Sequence, residues 1–153
     1  MAFAKRAVQN CEEYVFLDKL KYLAAGGRLS KTSAFFGDIL KKKPVISPLP
    51  EGAAKAGILQ NCEEQLAFAL EKLNTSISKD SSPFIMLEYS DNQEWVQDAA
   101  TNEIQNHYPS AEIMLQPLSL TSGAHMGPGT WAIAFYQIID NLILTSNPSR
   151  SWF

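Results

Sequence analysis

The stretch "PFIMLEY", residues 83–89, constrains the fold more than any other, because of what stands on either side of it. It is continuously apolar at its centre, the pattern of a strand buried on both faces. Ahead of it, Leu66, Ala69, Leu70 and Leu73 fall on one helical stripe, and behind it Val96, Ala99, Ala100 and Ile104 fall on another. Each helical segment opens on an Asx residue three positions before a glutamate, Asn61 with Glu64 and Asp91 with Glu94. That is the spacing of a capping box. A strand enclosed between two such helices calls for helices layered on a sheet.

The remaining segments extend the pattern. "EYVFLD" (13–18) reads as a strand, after which Asp18 can cap a short helix carrying Leu20, Leu23 and Ala24. Gly26-Gly27 stops that helix if one of the pair turns left-handed. Ser30 can cap a further helix with Phe36, Ile39 and Leu40 on one stripe, halted by Pro44. Residues 43–60 read as a hairpin about a Pro-Glu-Gly turn, and prolines 44, 48 and 50 make its first strand an edge strand or an irregular one. "AEIMLQPLSL" (111–120) and "TWAIAFY" (130–136) complete about six strands and four helices. Some connections are too short for crossovers, so the expected class is α/β (α+β-like), with a mixed, largely antiparallel sheet. The pentamer "QNCEE" occurs at 9–13 and 60–64, but the two segments after it differ in length and pattern, so it marks no repeat architecture.

Composition narrows the function. The 153 residues suit a single domain, 1–153, and an apolar share of 46% can supply its core. A net charge of −3 leaves no basic surplus for phosphates, so no nucleic-acid partner is expected. Lys41-Lys42-Lys43 reads as a solvated helix end, with an anion- or partner-docking patch as the other reading. Two cysteines without CxxC spacing and two histidines provide neither a disulfide scaffold nor a metal site. The first ten residues lack a secretory apolar segment, and no run reaches the length of a membrane span. A soluble, reducing, cytoplasmic setting is the expectation.

The chemistry concentrates in "TSGAHMGPGTWAIAFY", residues 121–136. Glycines 123, 127 and 129 let backbone N–H groups approach a ligand, Pro128 stiffens the turn, and Thr121, Ser122 and Thr130 add hydroxyls. His125 can donate from one ring nitrogen while a second residue holds the other. Such a set of donors suits a carboxylate or phosphate. An ordinary tight connection between strands is the competing reading. In the strand beyond, Trp131, Ile133 and Phe135 share one face, and Ala132 and Ala134 the other. The alanine side leaves room for a close-packed helix or an apolar ligand chain.

"GAHMGPGTWAIAFY" resembles the C-terminal signature of the DegV family, His-x-Gly-Pro-Gly before a small and apolar strand. "YVFLDKLKYLAAGGRLSKTSAFFGDILKKKPVISP" resembles that family's strand, Leu-x-Tyr-Leu helix, Gly-Gly-Arg and Lys-Pro strand, in the same order. The likeness runs over about residues 12–136. It implies the C-terminal domain of a fatty-acid carrier that is not an enzyme. Bacterial members of the family hold one long-chain fatty acid between two domains and present its carboxylate to a separate ATP-dependent fatty acid kinase. That places them in phospholipid metabolism. The resemblance implies no cofactor, with the fatty acid as ligand, and assigns the carboxylate end to His125. Gly127, Gly129 and Thr130 would help hold it, and Ala132 would line the channel. The family's N-terminal domain, with its serine and threonine contacts, is absent from these residues. The sequence is either an excised C-terminal domain or a half-length relative with a partner chain. Self-association through the exposed ligand face is a further expectation.

Other residues carry weaker signals. Arg28 either braces the glycine turn or contacts the kinase or a phosphate. Phe35 and Phe36 read as core residues, with lipid contact as the other reading, and His107 as a helix-end histidine without chemistry. Two other functions compete with the carrier. One is an interaction domain that docks to a kinase or partner domain and binds no ligand. The other is an enzyme with His125 as general base, although Thr121 and Ser122 carry no nucleophile elbow.

Overall fold

A computed structural model describes residues 10–26, 42–49 and 52–136. Within them lie strands β1 (Glu12–Phe16), β2 (Lys43–Leu49), β3 (Gly52–Leu59), β4 (Phe84–Tyr89), β5 (Glu112–Pro117) and β6 (Trp131–Tyr136). They form one sheet in the order β3-β2-β1-β6-β4-β5. All neighbours are antiparallel except β4 and β5, which run parallel. The described helices are α1 (Lys21–Ala25), α2 (Cys62–Ser76), α3 and α4 (Leu120–Met126). Helix α3 runs through Gln93–Trp95, a π-helical turn at Val96–Thr101, and Asn102–His107. It supplies the crossover that a parallel β4–β5 pair requires. The mixed six-stranded sheet with helices on it is the expected class.

The period-2 alternation of β6 divides the core. Trp131, Ile133 and Phe135 face α2 and α3, where Phe16, Ile85 and Leu87 meet Leu73, Val96, Ala100 and Ile104. Phe16 stacks on Trp131 with ring centres 4.1 Å apart. On the opposite face Ala132 packs with Val15, Leu17, Leu23 and Ile46, flanked by Leu20, Leu118 and Met126. The small side chain therefore lets α1 and α4 sit close to the sheet.

Several expectations change. Strand β4 is buried only through Ile85 and Leu87, while Phe84, Met86 and Glu88 are half-buried. The helices α2 and α3 cover one face of β4, not both. Strand β2 lies inside the sheet and is irregular: it pairs with β3 along its length, with a register shift between Val45 and Ile46, and with β1 only at those two residues. The prolines are tolerated because β1 makes so few demands on β2 N–H groups.

Asn61 caps α2 as expected, its Oδ1 accepting from the Glu64 N–H at 2.8 Å. Asp91 does not cap α3. It takes a left-handed φ of 64°, and Asn92 occupies the position before the helix. Asn92 instead accepts from the Ser90 N–H and donates to the Gly129 carbonyl at 3.2 Å. Asp18 does not cap α1 either, because Leu20 stands there and Asp18 is drawn to Lys43 by an ion pair. Lys43 is thus a strand residue with a fixed partner, not a helix end. Gly26 ends α1 with φ −74°, so it is not the left-handed member of the glycine pair. Gly27, Arg28, and the helix expected from Ser30 with Phe35 and Phe36 lie outside the described residues.

Candidate ligand-binding site

The segment read as a glycine loop begins with a helix. Ser119 Oγ accepts from the Ser122 N–H at 3.1 Å, which starts α4. Gly127 ends it with φ 83°, a backbone that a side chain disfavours, and Pro128 cannot continue it. His125 therefore stands in the last turn of a helix. The signal was present as a serine eight residues ahead of a Gly-Pro pair.

The glycines after α4 are consumed internally. The Gly127 N–H donates to the Gly123 carbonyl at 2.8 Å, and the Gly129 N–H to the Ser90 carbonyl at 2.6 Å. The Thr130 hydroxyl, fully buried, donates to the Met126 carbonyl at 3.0 Å. Gly127 lies against the Tyr22 ring, which leaves no space for a methyl group, and a methyl group at Gly129 (φ 76°) would crowd the Asp18 side chain. Sequence reasoning reads these groups as ligand donors. The structure shows them fastening α4 to α1 and to the end of β4.

Above this frame lies a cavity of about 350 Å³, near the lower end of the roughly 300–1,000 Å³ usual for ligand pockets. Its apolar lining includes Leu23, Ile46, Pro48, Leu49 and Met126. Its polar side chains, Thr121, Ser122 and His125, all come from α4. Of the residues expected at the site, His125 lines the cavity, while Ala132 lies in the apolar cluster with Leu23, Ile46 and Met126. The contribution of the β2–β3 hairpin was not legible, because it joins residues about 75 positions apart in sequence through the sheet order. His125 touches α1, where its Nδ1 presses against Gly26.

On the same sheet face, Glu13 pairs with Ala134 and Glu88 with Ala132. Burial pushes the Glu13 carboxyl above the usual carboxylate range, and the Glu88 charge adds to the effect. His107 sits at the end of α3 as expected, its Nδ1 2.9 Å from the Glu103 carbonyl. Among the described residues no cluster of His, Cys, Asp and Glu could hold a metal, and no helix is long and apolar enough to cross a membrane.

Fold and site together define an α/β domain with an apolar cavity and polar groups on one helical wall. The model of the DegV family, described as an uncharacterised protein family, matches residues 3–137. The chain belongs to the DegV family. A DegV domain-containing protein of Clostridium perfringens is 30% identical over 128 residues, 80% of this chain and 42% of that protein. The chain thus spans about two fifths of that relative's length. A fatty-acid-binding DegV family protein from Thermus thermophilus has the same fold (TM-score 0.77, 21% identity, 90% of this chain and 49% of that one). So does the fatty acid kinase B3 protein of Streptococcus pneumoniae, loaded with linoleic acid (TM-score 0.74, 17% identity, 90% and 48%).

Proposed function

We propose that this chain is the C-terminal part of a fatty-acid carrier, a binding module without catalysis of its own. The observation that carries the reading is the polarity of the cavity: hydroxyls and an imidazole on α4 face apolar groups from α1, β2 and β3. An acyl chain suits the apolar wall, and its carboxylate suits His125 with Ser122 and Thr121. Gly127, Gly129 and Thr130 act by holding α4 in place, and Ala132 by letting α1 and α4 approach the sheet. The linoleic acid in the Streptococcus pneumoniae protein supports this ligand class. The same protein's name supports a fatty acid kinase as partner; in this reading the kinase is ATP-dependent and receives the carboxylate in the cytoplasm. The remaining contacts to the ligand come, in this reading, from an N-terminal domain supplied in the same or another chain.

Leu49 and Leu120, 54% and 94% exposed, favour a second reading. Leu49 lines the cavity and Leu120 opens α4 beside it, so this rim suits docking to that partner domain with or without lipid. Native mass spectrometry of the purified chain, then organic extraction, separates the two. A co-purifying fatty acid establishes the carrier. If the chain stays empty even after the N-terminal domain is added, the carrier reading fails and docking remains.

A further inference from the structure

We infer that Gly26 is a positioning residue for His125, fixing its ring so that Nδ1 carries no proton and Nε2–H is the donor offered to the cavity. A methyl group placed on Gly26 would strike His125 Nδ1 first, with Cγ and Cε1 equidistant at 3.3 Å. Both ring atoms beside Nδ1 are farther away than a position above the ring face would leave them, so the ring meets Gly26 edge-on, by its Nδ1 apex. The group that Gly26 presents there is a Cα–H bond, which occupies the direction of the missing side chain. A Cα–H can donate weakly but cannot accept, so a proton on Nδ1 would have no acceptor at Gly26 while a bare Nδ1 gains a weak contact. The neutral ring then holds its proton on Nε2, on the edge remote from Gly26, and His125 lines the cavity while Gly26 does not.

Tyr22 completes the arrangement. Its ring lies against Gly127, the residue that closes α4, while the Nδ1 edge of His125 abuts Gly26, the residue that closes α1. Each short helix thus seats an aromatic or imidazole ring on the other's terminal glycine, and this reciprocal packing holds the imidazole in one orientation.

The chain supplies an internal control. His107 Nδ1 sits 2.9 Å from the Glu103 carbonyl, an acceptor, so its neutral form is the Nδ1–H tautomer. Long-range ¹⁵N–¹H NMR of the ¹⁵N-histidine-labelled chain at alkaline pH reads both rings at once. The expected result is opposite tautomers, Nδ1–H for His107 and Nε2–H for His125, with His107→Gln assigning the signals. In Gly26→Ala the His125 pattern should change while that of His107 stays. An Nδ1–H tautomer at His125 in the unsubstituted chain, or a Gly26→Ala variant with unaltered His125 signals, overturns the inference. The offer of Nε2–H to a carboxylate rests on the fatty-acid reading, and sodium linoleate tests that part separately. A shift of the His125 Nε2 resonance on titration supports both. An Nε2–H tautomer that linoleate leaves untouched, with the N-terminal domain present, sinks the ligand and leaves the positioning intact.

Discussion

The Tyr22 ring lies directly over Gly127, in the space a side chain at 127 would need, and Gly127 itself holds φ 83° and ψ 173°. That backbone region is essentially reserved for glycine. Gly127→Ala should therefore cost about 1–3 kcal/mol through the backbone alone. Overlap with Tyr22 adds about 1–3 kcal/mol more unless the ring moves. Urea unfolding of Gly127→Ala checks the sum. The double variant with Tyr22→Ala should recover part of the second contribution and none of the first.

Gln65 ties α2 to the start of β6 and to the residue just after β1 from inside the core. Its Oε1 accepts from the Trp131 indole N–H at 3.0 Å, and its Nε2 donates to the Leu17 carbonyl at 3.3 Å. All three residues are essentially fully buried. Gln65→Leu leaves the indole N–H and one carbonyl unpaired, at a cost of about 1–3 kcal/mol for each orphaned group. A variant as stable as the parent in chemical denaturation would show that other acceptors replace the amide.

Glu13 makes a pH prediction. Its carboxyl titrates above the usual range, chiefly because it is partly buried and secondarily because Glu88 repels its charge. A raised folded value favours the protonated form in the folded state, so its contribution is fully present below the unfolded value and is lost as pH rises through the folded one. Glu13→Gln should stabilise the protein at neutral pH, and the gain should vanish below about pH 4. Thermal melts of both proteins across that range would expose a gain independent of pH, contrary to this account.

Tyr14 makes the corresponding prediction at high pH. Burial, together with the hydrogen bond its hydroxyl donates to Glu12 at 2.9 Å and the charge of Glu12, pushes its phenol up to about 12. Ionisation in the unfolded chain near about pH 10 precedes ionisation in the folded one. Stability should therefore fall between about pH 10 and pH 12. Tyr14→Phe should flatten that part of the stability profile, as measured by alkaline unfolding.

In the proposed carrier, completed by its N-terminal domain, His125→Gln should weaken linoleate binding by about ten- to a hundredfold, the loss of roughly 1.5–3 kcal/mol expected for a hydrogen bond to a charged group. A fluorescent fatty-acid displacement assay reads this directly. Unchanged affinity would remove His125 from the site.

Local chemistry alone determined much of this molecule. The alternation of Trp131 to Phe135 assigned both faces of β6, the Asn61–Glu64 spacing started α2, and the two strand runs read within 43–60 paired as β2 and β3. These features depend on neighbours a few residues apart, so a linear reading reaches them. Asp91 carried the same capping pattern and Asp18 also offered a cap, yet a lysine 25 positions away claimed Asp18, and Asn92, bonded to the Gly129 carbonyl, took the place before α3. The same competition decided the site. Donors that looked free on the Gly-Pro-Gly segment were taken by the carbonyls of Gly123, Ser90 and Met126, leaving His125 at the cavity. A buried polar group bonds to whichever partner the fold brings within about 3 Å, and only the tertiary structure says which partner that is.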